Sequence, residues 1–313
     1  MPNPDWPQLT LSEWLPTYGT LHRWTQIVGK TRLALAPFEN HWWHCTLYVT
    51  TRGVTTSPMP IAGGTLQVDF DLLHDRLDAN TSDGRTRSLK LENKSVADFY
   101  AEYCVMLEAL GVKLKMHAAP NEMPDAIPFA EDREHATYDG DAIRRWWRAL
   151  TCADVALKRF RSGFAGKCSP THLWWGALDI ACTRFSGRSA PPHPGGIPNC
   201  PDYVTAEAYS SECISAGWWP GSAGSPVEEA AFYAYAYPEP KGCSIAPIGP
   251  STAFYQPDLR EWILPYEAVR TSADPYGMVA EFLESTYETA ARLGGWDIEG
   301  LRSARGSEQR TLS

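Results

Sequence analysis

His41-Trp42-Trp43-His44-Cys45-Thr46-Leu47-Tyr48-Val49-Thr50-Thr51-Arg52 is the stretch on which the fold of this chain turns, because its pattern occurs twice. Shifted by 132 residues, Trp174-Trp175, Thr183-Arg184, Ser189 and Pro192 fall in the register of Trp42-Trp43, Thr51-Arg52, Ser57 and Pro60 without a gap. The run from Cys45 to Thr50 is rich in β-branched and aromatic residues and reads as a strand, with His44, Thr46, Tyr48, Thr50 and Arg52 on one face. A helix-like segment precedes each copy. Leu21, Trp24, Ile27 and Val28 recur at helical spacing before Gly29-Lys30, and Ile143 through Phe160 do so before Gly166-Lys167.

Working outward, each half adds further strands and a closing helix. Thr65–Leu72 alternates as a strand, Leu77–Asn80 continues it, Ser82-Asp83-Gly84 is a hairpin turn, and Ser88–Leu91 returns. Ser95, with Asp98 three residues on, caps a helix that Gly111 ends. In the second half Val204–Ile214, Ala231–Tyr237 and Trp262–Tyr266 read as strands, and Asp274-Pro275 opens a helix stopped by Gly294. The expected fold is α+β, with two related units of antiparallel sheet plus helices in pseudo-two-fold arrangement. The units span 1–117 and 141–297, joined by a Pro-rich acidic linker at 118–140 and followed by a disordered tail at 298–313.

Bulk properties narrow the function classes. A net charge of −9 argues against a nucleic-acid surface, which needs a basic face. No apolar run reaches the roughly 18–20 residues that span a bilayer, and the amino-terminal residues lack a signal-peptide pattern, so a cytoplasmic protein with no membrane partner is expected. The eight cysteines form no CxxC pair and read as small buried apolar groups.

The candidate chemistry lies in unequal polar residues at matched positions. Asp179 interrupts Leu178, Ile180, Ala181 and Cys182, where the first copy has Leu47. An acid in an apolar strand needs a partner. It is either an ion pair with Arg184, Arg188 or Arg52, or a general acid or base with a raised pKa. Glu212 is a second strand acid, either a solvent-facing residue or a third ligand beside histidines. His172 precedes the second Trp pair as a proton carrier, a ligand or a packing residue. His41 and His44, with His172, form a candidate site for a divalent metal, Fe or Zn, although positions three apart on a strand face opposite ways. Arg52, Arg184 and Arg188 are candidate anion clamps, and Trp43 and Trp175 candidate substrate-binding rings. Tyr233, Tyr235 and Tyr237 share one strand face, as core filler or as pocket lining. No phosphate loop, GxGxxG or GxSxG is present.

Three stretches, His41–His44, His172 through Arg188, and Leu264-Pro265-Tyr266-Glu267-Ala268-Val269-Arg270, resemble a bacterial family known as domain of unknown function 5996. The resemblance runs over nearly the whole chain. It implies a single-chain protein of similar size and carries over no reaction, cofactor or catalytic residue. The expected function is that of an enzyme acting on a small organic molecule at a His/carboxylate site between the repeats, with hydrolytic or oxidative, metal-assisted chemistry. The alternatives are a non-catalytic binding protein with an aromatic pocket and a structural partner protein whose buried polar residues only fix the fold.

Overall fold

Alternating apolar residues build two antiparallel sheets, against which helices pack. The computed structural model describes residues 5–304. The first sheet contains β1 (Tyr48–Thr50), β2 (Gly53–Thr55), β3 (Met59–Ile61), β4 (Gly64–Asp71), β5 (Arg76–Thr81) and β6 (Thr86–Lys90). Its order is β1-β2-β4-β5-β6, with β3 also pairing β4. Leu66, Val68 and Phe70 of β4 point to one side and are buried, as their alternation predicts.

The second sheet is a meander of β7 (His172–Trp174), β8 (Asp179–Ser189), β9 (Ser211–Gly221), β10 (Glu229–Tyr237), β11 (Phe254–Gln256) and β12 (Glu261–Pro265), in the order β11-β12-β10-β9-β8-β7. One antiparallel bridge links the sheets: Leu47 and Leu173 exchange N–H···O bonds of 2.9 and 2.8 Å.

The helices are α1 (Leu11–Leu35), α2 (Val96–Ala109), α3 (Gly140–Ser162), α4 (Asp202–Ala208), α5 (Tyr266–Arg270) and α6 (Pro275–Leu293). Their starts follow local chemistry. Ser95 accepts from the Asp98 N–H at 3.1 Å, Asp139 from Asp141 and Ala142, and Asp274 from Gly277. The α3 and α6 helices pack on one face of the second sheet, and Ile180, Cys182, Ile214, Ala216, Trp218, Phe232 and Ala234 face the main core there.

Two expected strands differ. Trp42-Trp43 lies in a 3₁₀ segment, Asn40–Cys45, because His41 and Trp42 adopt left-handed φ angles of 57° and 62°. Such angles cost about 1 kcal/mol or more per non-glycine residue and leave no strand, so strand pairing starts only at Leu47. The Glu207 carboxylate holds this turn by accepting from the His41 N–H at 2.9 Å. Val204–Ile214 also divides. Pro201 and Asp202 open the short α4, and strand pairing resumes at Ser211. Of the expected tail, residues 298–304 return to the body: the Ala165 N–H donates to Leu301 O at 2.8 Å, and Ser303 to Gly163 O. Residues 305–313 lie outside the described residues.

The 118–140 segment is fastened from α1, whose residues 20–32 are buried throughout. Gln26 accepts from the Asn121 N–H at 2.8 Å and donates to its carbonyl at 2.9 Å. Arg23 reaches Asp125 at 2.9 Å and Asp132 at 3.1 Å. The polar residues that make α1 a poor apolar helix thus serve as clasps for a chain segment with no ladder of its own.

Candidate active site

Strand periodicity puts the two characters of β8 on opposite sides. Ile180, Cys182 and Arg184 face the helices, and Asp179, Thr183 and Phe185 face a cavity of about 910 Å³. On the same side stand Cys213 and Ser215 of β9, and Tyr233 and Tyr235 of β10. The cavity is bordered by residues 117–126, by the loop from Ile197 into α4, and by the 3₁₀ turn at His41–Cys45.

Asp179 is 9% exposed. Its carboxylate accepts a hydrogen bond from the Tyr233 hydroxyl, which crosses from β10 over Gly217. A Cβ at Gly217 would stand 2.5 Å from the Tyr233 hydroxyl oxygen and 2.5 Å from Ile180 O, so only glycine permits this crossing. Burial pushes Asp179 up to about 6, against the pull of the Tyr233 bond. The row continues with the Tyr209 and Tyr235 hydroxyls 2.9 Å apart and the Thr183–Ser215 pair at 2.9 Å.

Glu122 descends from the clasped segment. Its carboxyl rests against Gly176, where a Cβ would lie 2.2 Å from an Oε1, so this close seat also needs glycine. Glu122 is solvent-accessible where it borders the cavity, but protein surrounds it elsewhere. Burial, then the charge of Asp179, raises it to about 7. On β12, half-buried Glu261 rises to about 8 for the same two reasons, although it does not line the cavity.

Lys30 enters from α1, 3% exposed, donating to the Asn121 side-chain oxygen. Its Nζ stands 5.4 Å from the centre of the Trp175 ring. Burial lowers it to about 8, with Glu122 acting in opposition. Its counterpart Lys167 stands 5.5 Å from the centre of the Trp43 ring. Each half's lysine therefore lies over the other half's second tryptophan.

Of the residues singled out in the sequence, Asp179, His41, Trp43 and Trp175 line this cavity. His41 bonds Ala208 O at 3.0 Å through Nδ1 and accepts from Lys167 at 2.6 Å through Nε2, a neutral tautomer, and burial lowers its pKa. The Trp175 indole donates to Cys45 O at 2.7 Å.

The other candidates do not join it. His44 takes the Glu39 N–H at 3.2 Å. His172, fully buried beside Thr46 and Trp174, lies outside the lining, and burial pushes it down to about 3. Among the described residues no three of His, Cys, Asp or Glu come together as a metal would require. The expected arginine clamp also disperses. Arg52 pairs with Asp71 at 2.8 Å, and Arg188 with Glu212 at 2.6 Å on the sheet edge. Arg184 is stacked on Phe160 at 3.4 Å across the sheet and is 3.7 Å from Glu284. Asp179 thus pairs with a tyrosine and with none of the three arginines proposed for it. For Arg184 side-chain parity is the reason, since residues 179 and 184 are an odd number of positions apart on β8.

Sequence reasoning missed Lys30 and Glu122 as site residues. Glu122 sits in a Pro-rich connection with no periodicity, and its left-handed φ of 61° leaves no mark in composition. Tyr233 and Tyr235 were visible as a one-faced row without a stated partner.

The family model for a family of unknown function, DUF5996, matches residues 6–303. The chain belongs to this family. No curated protein and no solved structure matches this DUF5996 member. No helix among its described residues is long and apolar enough to cross a membrane.

Proposed function

We propose that this DUF5996 protein is an enzyme acting on a small organic molecule held over the polar face of the second sheet, with Asp179 and Glu122 as its acid and base. The carrying observation is a buried strand carboxylate that opens, beside a second carboxyl, onto a cavity of about 910 Å³. Groups that change protonation between about pH 6 and 7 match the requirement of proton transfer at neutral pH. Tyr233 orients Asp179, and the rings of Trp43 and Trp175 give flat apolar walls. The reading is carried by the carboxyls and not by His41, His44 and His172, whose positions do not gather on one ion. Metal content of protein purified without an affinity tag tests the imidazole alternative directly. The crossed Lys30–Trp175 and Lys167–Trp43 contacts support a duplicated origin of the two halves. Eight free thiols suit a reducing, cytoplasmic compartment.

The test is a panel of small neutral organic compounds incubated with wild type, Asp179→Asn and Glu122→Gln, with products followed by mass spectrometry. Turnover that falls at least about a hundredfold in Asp179→Asn is expected. Turnover indifferent to both variants would sink the assignment. Saturable quenching of tryptophan fluorescence with no product, for every compound bound, would instead favour a binding protein with an aromatic pocket.

A further inference from the structure

Lys30 is an unusual residue to find buried, at 3% exposed. An ammonium offers three donors, yet the Nζ of this buried side chain has one hydrogen-bond acceptor, Asn121 Oδ1. No carboxylate bonds to it directly, although Glu122 is near enough for its charge to act. Asn121 is held in place, since its amide nitrogen donates to Asn199 O at 2.6 Å, so its oxygen is turned to the lysine. One fixed acceptor suits a neutral amine whose lone pair is left over, and Lys30 borders the cavity.

The matched lysine behaves differently. Lys167 rests over Trp43 of the other half at nearly the same distance, but it is exposed and donates to His41. The lining also contains no arginine among the described residues, hence no bidentate clamp for a carboxylate or phosphate. Aromatic walls without an anion clamp fit a neutral ligand.

Building on the reading of this cavity as an active site, we propose that Lys30 is a covalent catalytic residue. Its Nζ forms an imine with the carbonyl carbon of a neutral aromatic aldehyde or ketone, and Glu122 supplies the proton for dehydration. In the first step the Nζ lone pair makes the N–C bond, the C=O π pair moves onto oxygen, and a proton transfers from nitrogen to oxygen. In the second, the Glu122 carboxyl protonates the hydroxyl, which leaves as water. The C=N bond forms, and the remaining N–H proton returns to the carboxylate. Amine and carbonyl become imine and water with no change in oxidation state.

Wild-type protein is treated at pH 7 with benzaldehyde and sodium cyanoborohydride, and the benzyl adducts are located by peptide mass spectrometry. Lys30 is expected to be labelled at least about tenfold faster than Lys167 or any surface lysine, because a far larger share of it is unprotonated at that pH. Glu122→Gln slows Lys30 about tenfold and leaves Lys167 unchanged. Lys30→Met, checked for folding by circular dichroism, loses this adduct alone. Labelling of Lys30 no faster than that of Lys167 overturns the imine. If Asp179-dependent turnover is found all the same, the acid–base reading stands without it, and if neither appears both fall.

Discussion

The two faces of β8 place opposite charges in opposite circumstances. Arg184, 1% exposed, is wrapped by Phe160, Phe164 and Tyr287, donates to Phe160 O, and has Glu284 3.7 Å away. Asp179, five residues earlier, has one hydroxyl donor and an open cavity. Both are buried charges. One is enclosed by rings that use its flat surface as packing, and the other is left able to gain or lose a proton. A buried charge becomes a candidate for chemistry when the structure leaves part of it without protein around it, not when it is merely buried.

That contrast can be broken from either side. The largest effect on stability is expected from Arg184→Ala, which removes the guanidinium that fills the space between three rings. Urea denaturation should show a loss of about 3–5 kcal/mol, while any ligand bound in the cavity is retained by the folded fraction. Asp179→Asn should act the other way round. Its ordinary value of 3.8 is raised to about 6, so the charged form is disfavoured in the folded state. The variant should gain about 2–3 kcal/mol at pH 8, match wild type near pH 4, and lose ligand turnover.

The Asp179 contribution to the pH profile has a defined sign. Between pH 4 and 6 the folded protein holds a proton on Asp179 that the unfolded chain has released, so this contribution to stability declines as pH rises. Asp179 contributes about 2–3 kcal/mol to this decline, which is complete just above pH 6. Glu122 and Glu261, raised to about 7 and about 8, extend the decline upward. Buried His22 and His172, pushed down to about 4 and about 3, oppose this decline below about pH 6.5, because there the unfolded chain binds the protons they refuse. The check is therefore the difference between wild type and Asp179→Asn in thermal melts from pH 4 to 9, and a difference that does not widen as pH rises would contradict the assignment.

Smaller still is Tyr233→Phe. It removes the bond that holds Asp179 down, so the acidic limb of any activity profile should move to higher pH, with a stability cost of about 1 kcal/mol. Smallest is Glu212→Gln, which breaks a half-exposed pair with Arg188 at the sheet edge. A shift in the urea midpoint corresponding to less than about 1 kcal/mol, and no change in the cavity, is expected.

What could be read from the sequence depended on how local its cause was. Helix starts at Ser95 and Asp274 were legible because a cap is a contact between residues three apart. The Tyr233–Tyr235 row and the anomalous Asp179 were legible because a strand has period two. The partner of Asp179 was not. It depends on the register of β8, β9 and β10 and on Gly217, none of which composition encodes. Nor was the left-handed turn at His41-Trp42, which diverts the first Trp pair from the strand its sequence suggests. Glu122 reaches the site only because Gln26, 96 positions earlier, binds the backbone of its neighbour Asn121.

The clasps on residues 118–135 have a consequence for time. Three side chains of α1, Gln26, Arg23 and Lys30, hold this cover together with backbone bonds to Val96, Ala97 and Pro198, and no rung of either sheet does. Releasing residues 119–126 breaks those side-chain bonds and the bonds to Pro198 and Asn199, and leaves both ladders paired and Phe129 in the core. The contents of the cavity can therefore exchange on the microsecond-to-millisecond scale of loop motion, while the strands beneath keep their amide protons for as long as the whole molecule stays folded.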